Sequence, residues 1–254
     1  LRTIAIIKGM AGFLAAIAVW ELVRATGTID SRSLPGIGAI LQSMISGLAT
    51  SDGLMPSVLA TLRTWSMGLV IASILGTVVG VALALSPLVE TVTRPIVEFL
   101  RPVPSVALIP VALLVLGIGL PMQLFMIVFA AIWPVIFSAK AGVEGVDPRQ
   151  LETGRVFGLS RLASIWRIVL PAALPNIATG IRTASAIALV LTITVEMLVG
   201  RPGIGSFLEN VRLNGLVTEM WSAIVLTGIV GYLVNGLFLM LEKRLIPWSA
   251  EHHV

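Results

Sequence analysis

Apolar positions along this chain run in long uncharged stretches broken by short polar segments, a pattern that predicts membrane-crossing helices rather than alternating strands. A helix rises about 1.5 Å per residue, so roughly 30 Å of hydrocarbon takes about 20 mostly apolar residues. No charge lies between Arg63 and Glu90, and Trp65 to Ser86 reads as one span. None lies between Arg101 and Lys140 either, a stretch too long for one crossing and divided by Gly117-Ile118-Gly119-Leu120-Pro121. It reads as a helical hairpin with a short span at Pro104 to Leu116 and a second at Pro121 to Ser138. Met220 to Leu241 is bounded by Glu219 and Glu242, Ile4 to Val23 tolerates Lys8, and Ile177 to Gly200 contains Arg182 and Glu196. The expected architecture is therefore all-α and polytopic, six transmembrane helices in a single domain over residues 1–254.

Composition agrees. Hydrophobic residues make up 57% and charged residues 12%, where a soluble chain carries about 25% charged, so the outer surface must meet lipid. With no cysteine and two adjacent histidines, His252 and His253, the chain offers no disulfide, thiolate metal site or cysteine nucleophile, and no bound metal or cofactor is expected. An intramembrane enzyme is excluded because no intramembrane His, aspartate pair or Ser/Lys dyad lies at membrane depth.

The formal charge of +4 sets topology. The N-terminus, the 87–101 connection, the 140–176 loop and the C-terminal tail hold Arg2, Lys8, Arg94, Arg101, Lys140, Arg149, Arg155, Arg161, Arg167, Lys243 and Arg244. The opposite face holds Arg24, Arg32, Arg63, Arg201 and Arg212. The positive-inside rule places both termini and the 140–176 loop in the cytoplasm. The first span has no convincing small-residue cleavage site and reads as a retained helix. The basic residues of the 140–176 loop alternate with apolar ones, with no aromatic platform beyond Phe157 and Trp166, so nucleic-acid binding is not expected. Asp30 to Met55 is too polar to span and fits an amphipathic helix at the outer surface.

The loop over residues 145–171 carries explicit helix punctuation. Asp147 suits a cap, Pro148 the first helical position, Gln150 the capping-box position and Gly158 a left-handed stop. Ser160 caps a second helix from Arg161 towards Leu170, and Pro171 and Pro175 mark the approach to the membrane. Leu151, Val156, Phe157, Leu159, Leu162 and Ile165 make the pair of short helices apolar enough to want a partner, whether the chain's own membrane domain or another subunit.

Elsewhere, Gly68, Ala72, Gly76, Gly80 and Ala84 form a small-residue stripe suited to close helix packing, within the chain or at a seam between two copies. Ser185, Ala188, Thr192 and Glu196 share one face of the fifth span and are the candidate lining of a translocation pathway. Arg182 is expected to snorkel to the interface. Glu196 has Arg201 or a backbone group as its expected structural partner, and Gln123 and Asn235 read as interhelical hydrogen-bonding amides. Gly203-Ile204-Gly205 has no preceding strand and no third glycine, which excludes a nucleotide loop.

The spacing Glu152, then Gly158, then Ile168, Leu170 and Pro171 resembles the EAA loop of ATP-binding cassette (ABC) importer permeases, with Glu152-Thr153-Gly154 in place of Glu-Ala-Ala. Interior Gly154 weakens that helix by roughly 1 kcal/mol against Ala. Leu100-Arg101-Pro102-Val103-Pro104-Ser105-Val106-Ala107-Leu108-Ile109-Pro110 with Gly117-Ile118-Gly119, and Glu196-Met197-Leu198 with Gly203-Ile204-Gly205, are similar to the subfamily that imports nitrate, bicarbonate, taurine and alkanesulfonates.

The resemblance implies the type I ABC importer permease fold in a bacterial inner membrane, with an external solute-binding protein, two cytoplasmic ATPases that use ATP and Mg, and a second permease copy forming a homodimer. It also implies that Leu151, Glu152, Thr153, Gly154, Phe157, Gly158, Leu159, Ser160, Leu170 and Pro171 form the ATPase-coupling contact. The chain itself has no Gly-x-x-x-x-Gly-Lys-Ser/Thr phosphate loop, so hydrolysis would belong to another subunit. A secondary transporter or channel independent of an ATPase is the competing class; the chain has few intramembrane charges and no clear internal repeat.

Overall fold

The computed structural model describes residues 2–30, 33–50 and 53–248. Arg32, His252 and His253 lie outside the described residues, as does the side chain of Arg2. Every regular element among the described residues is helical: α1 (Arg2–Ala25), α2 (Ile37–Ala49), α3 (Leu54–Leu85), α4 (Pro87–Leu100), α5 (Ile109–Leu116), α6 (Leu120–Glu144), α7 (Pro148–Val156), α8 (Arg161–Ser164), α9 (Leu170–Val199), α10 (Ile204–Leu213) and α11 (Val217–Leu245). A short 3₁₀ segment, Ser105–Leu108, precedes α5, and a π-helical turn, Ile165–Val169, joins α8 to α9.

The central helices are α3, α6 and α9. Helices α3 and α6 run parallel, because Gly68 faces Ile127, Gly76 faces Val135 and Gly80 faces Ile136 and Ala139. A Cβ on Gly68 would lie 2.5 Å from Ile127 Cγ2, and one on Gly76 2.7 Å from Val135 Cβ. The small-residue stripe therefore serves packing inside the chain, not a seam between copies. Helix α9 runs antiparallel to α6, with Gly142 against Ala173 and Asn176, and Gly180 against Ser138. Between these helices Trp65, Leu69, Ala72, Ile127, Ala131, Val135, Ala184 and Ala188 form one buried cluster.

Among the described residues, four helical segments are long and apolar enough to cross a membrane: Leu54–Leu85, Leu120–Glu144, Arg161–Val199 and Val217–Leu245. A fifth counts if α4 and Ser105–Leu116, bent 85° from each other, form one broken span. The expected six adds α1, whose 24 residues are long enough but whose described part carries Lys8, Glu21 and Arg24.

Two span expectations need correction. Pro104 to Leu116 is not a complete crossing, since α5 has 8 residues and a rise of about 12 Å. The proline-rich run at 102–110 breaks the helix, leaving α4 as a separate amphipathic rod. That rod is tied to α6 by Lys140, whose Nζ lies 2.6 Å from Glu90 and 3.3 Å from Glu144. Arg101 sits 4.6 Å over the Phe137 ring.

The second correction concerns the helix after Ser160, which does not stop near Pro171. It continues through Pro171 and Pro175 to Val199. Proline lacks a donor and crowds the carbonyl four residues back, and the π-helical turn just before Pro171 widens the helix where that crowding falls.

The polar segment before α3 holds α2, as the amphipathic pattern predicts. It lies on α11, with Ser43 Oγ donating to Ser222 Oγ at 3.5 Å. Its N-terminus is capped from α1, where Glu21 Oε1 accepts from Ile37 N–H at 2.9 Å. Trp20 of α1 meets Trp221 of α11 edge-on at 4.7 Å.

Candidate functional site

At the end of the bundle formed by the C-terminus of α6 and the start of α9 a knob projects, built from α7, Gly158 and α8. Asp147 Oδ1 accepts from Arg149 N–H at 2.9 Å and starts α7. The helix closes with Leu159 N–H donating to Gly154 O at 3.0 Å and Gly158 N–H to Arg155 O at 2.9 Å, a pairing that needs a left-handed residue between. Gly158 supplies it with φ +74°. Ser160 Oγ then accepts from Ala163 N–H at 3.3 Å and starts the next helix. These are the punctuation marks the sequence predicts.

Of the expected coupling residues, Glu152, Thr153, Phe157, Gly158 and Ser160 are exposed. Leu151, Leu159, Leu170 and Pro171 are half-buried, and Leu151 packs against the buried cluster that contains Val143, Val146, Val169 and Ala173, holding the knob to the bundle. Gly154 is buried, and a Cβ there would meet Ile168 Cδ1 at 2.6 Å. Its lack of a side chain thus does more than weaken α7: it lets the helix lie on the π-helical turn.

The crest of the knob is apolar and bare, with Val156 85%, Phe157 79%, Leu162 66% and Trp166 67% exposed. Beside it opens a cavity of ≈ 650 Å³ lined by Gln150, Thr153, Phe157, Leu159, Arg167 and Trp248, among others. Sequence reasoning missed Arg167 and Trp248 as groove residues. An aromatic soon after the last span was the available signal for Trp248, but nothing local says that the tail folds back beneath the loop.

The other candidate set lies inside the bundle. Ser185, Ala188, Thr192 and Glu196 do share one face of α9, and that face is packed against α3 and α6, with all four buried. Trp65 Nε1 donates to Ser185 O at 2.9 Å, and Thr192 Oγ1 donates to Ala188 O at 2.7 Å. In this conformation they line no opening, because neighbouring helices fill the space their small side chains leave.

Glu196 is 0% exposed. Its Oε2 accepts from Thr61 Oγ1 at 2.8 Å and from Gly205 N–H at 3.1 Å. Thr61 Oγ1 in turn accepts from Ile204 N–H at 2.8 Å. The expected partner Arg201 is not used; the partners are a backbone group and Thr61, a residue the sequence did not single out. Arg182 Nη1 pairs with Oε2 of Glu242, the residue that bounds the last apolar span, at 3.2 Å. Gln123 is buried, whereas Asn235 stands on the exposed face of α11. Among the described residues no group of three His, Cys, Asp or Glu is placed to hold a metal.

Comparison with known proteins assigns this geometry to a class. The family described as "Binding-protein-dependent transport system inner membrane component" matches residues 68–247. The chain is 30% identical to the nitrate import permease protein NrtB of Leptolyngbya laminosa over 92% of this chain and 86% of that one. It is also 30% identical to the taurine transport system permease protein TauC of Escherichia coli K12, over 94% and 89%. Its fold is similar to a chain of the inward-facing MetNI methionine ABC transporter, with TM-score 0.67 and 20% identity over 75% of this chain and 95% of that one. A chain of a bacterial alginate ABC transporter, solved with an alginate pentasaccharide-bound periplasmic protein, gives TM-score 0.66 and 14% identity over 96% and 97%.

Proposed function

The chain belongs to the family of inner membrane components of binding-protein-dependent transport systems, and from that premise we propose that it carries a small anion, of the class of nitrate or a sulfonate, handed over by an extracytoplasmic solute-binding protein. It is the membrane-spanning permease subunit of an ABC importer, a non-enzymatic component, and an ATPase-independent transporter or channel is set aside. The substrate class rests on the nitrate and taurine permeases that it resembles at 30% identity.

The observation that carries the mechanism is the bare apolar crest of Val156, Phe157, Leu162 and Trp166 above the groove containing Arg167 and Trp248. A patch of this kind on a knob whose other exposed residues include Arg149, Glu152, Arg155 and Arg161 is a docking site, and its occupant in this reading is a cytoplasmic ATPase. Glu152, Thr153, Gly158 and Ser160 lie on the contact, while Leu151, Gly154, Leu159, Leu170 and Pro171 hold it in shape. ATP and Mg are used by that partner. The π-helical turn and the unbroken helix from Arg161 to Val199 make a rigid lever, so that movement of the knob is carried along α9 into the membrane. The knob, and with it both termini, is cytoplasmic in this reading, as the distribution of Lys and Arg supports.

One chain does not enclose a path, since the interior face of α9 is filled by α3 and α6. The solute therefore passes between two copies of the chain, with two ATPases below them. Gly158→Val tests the coupling. A β-branched residue strongly disfavours φ +74°, so the variant is expected to insert in the membrane yet lose copurification of the ATPase, and uptake with it. Normal uptake and full ATPase recovery would overturn the reading.

A further inference from the structure

We infer that Glu196 is a positioning residue for transport: it fastens α10 to α3 and α9 at the end of the bundle opposite the knob and so sets the cleft that the binding protein meets. The inference rests on the reading that this importer works with an extracytoplasmic binding protein.

A wholly buried carboxylate needs strong compensation, and a core position that only had to be filled would hold an apolar residue. Here the compensation falls on one oxygen, Oε2, from Thr61 and the start of α10, while Oε1 is buried without a hydrogen-bond partner. Two of that helix's free N–H donors are taken, Gly205 N–H by Glu196 Oε2 and Ile204 N–H by Thr61 Oγ1, and the two side chains are joined to each other at 2.8 Å. Negative charge at a helix N-terminus is also favoured by the alignment of peptide dipoles. Helix α3 is thus held by one knot to the consecutive helices α9 and α10, more than 100 residues further along the chain. No side chain fits inside it: a Cβ on Gly203 would overlap the Glu196 carboxyl, and one on Gly205 would overlap Ile193 O. The segment Glu196, Gly203 and Gly205 is therefore a single device in which the glycines admit the backbone and the carboxylate holds it.

What the device positions is an adjoining cleft of ≈ 550 Å³, lined by Pro56 and Ser57 from the start of α3, Met197 of α9, Gly203 of the following turn, and Ser206 and Phe207 of α10, among others. Its walls come from α3, from α10 and from the end of α9 with the turn that follows it, the segments that the knot joins. Their separation is fixed by Glu196, although Glu196 does not line the cleft. Loosening the knot therefore changes the cleft without removing any group that faces it.

The absence of cysteine makes the test direct. Ser206→Cys is introduced in the full complex in membranes, and its rate of maleimide labelling is measured alongside ATPase stimulation by the solute-binding protein that copurifies with the complex. With Glu196→Ala, labelling is expected to quicken, and the binding-protein concentration for half-maximal stimulation to rise, by about tenfold each, the loss of one to two buried hydrogen bonds. Glu196→Gln, whose amide oxygen still accepts from Gly205 and Thr61, is expected to stay within about twofold of the parent.

Labelling at the parent rate in Glu196→Ala would overturn the inference. So would Glu196→Gln losing maximal transport with unchanged labelling, because the charge would then act on the solute. If Glu196→Ala does not assemble, Thr61→Ala decides: faster labelling supports the knot and an unchanged rate refutes it. Failure of the binding protein to stimulate the parent complex would instead remove the functional reading and leave the labelling result standing.

Discussion

Phe157→Ala offers a clean separation of coupling from folding. The side chain is 79% exposed in the single chain, so its removal gives up little packing there, and the backbone at 157 is held by bonds to Thr153 O and Arg155 O that alanine keeps. If the crest is buried against an ATPase, the same side chain passes from water to a protein interior on assembly. Full burial of a phenylalanine is worth about 1.5–3 kcal/mol, and a central aromatic anchor falls at the upper end of that range. Taking about 2–3 kcal/mol, the ATPase should bind roughly 30- to 150-fold more weakly. The assay is titration of the purified ATPase against the permease in nanodiscs, with thermal unfolding of the permease alone as control. Unchanged affinity would refute the assignment of the crest, and a large fall in the permease's own stability would refute the claim that Phe157 contributes nothing to the isolated fold.

Two further outcomes check the architecture. Gly80→Val puts a side chain against Ile136 O and within 2.8 Å of Ala139 Cβ, where backbone cannot yield; it should destabilise the bundle by about 3 kcal/mol, whereas Gly236→Ala, interior to α11 with no atom within 4 Å, should be neutral to stabilising by up to about 1 kcal/mol in the same unfolding measurement. For the Arg182–Glu242 pair, partly shielded at 31% and 21% side-chain exposure, a double-mutant cycle in thermal unfolding should give a coupling of about 1 kcal/mol, and strict additivity would mean that Arg182 is held elsewhere.

The knob built from α7, Gly158 and α8 was the most legible part of the chain because its determinants are local. Asp147, Pro148, Gly158 and Ser160 fix starts and stops through bonds spanning a few residues, and each operates where the sequence put it. Spans were legible for the same reason, since length and absence of charge suffice for a crossing. They failed at Pro104 to Leu116, where prolines cut a continuous apolar run, and at Pro171, where a π-helical turn let the helix continue through a residue that ordinarily stops one.

Sequence by itself settled that the protein is helical, lives in lipid and carries a structured loop. Tertiary structure alone decided which way each helix face turns. The small-residue stripe on α3 could have met any helix and meets α6; the polar face of α9 could have lined a channel and is packed away; Glu196 could have paired with Arg201 and instead holds Thr61 and the start of α10. Periodicity states that residues share a face, but the partner of that face is set by long-range packing, which bonds of three or four residues' span do not encode.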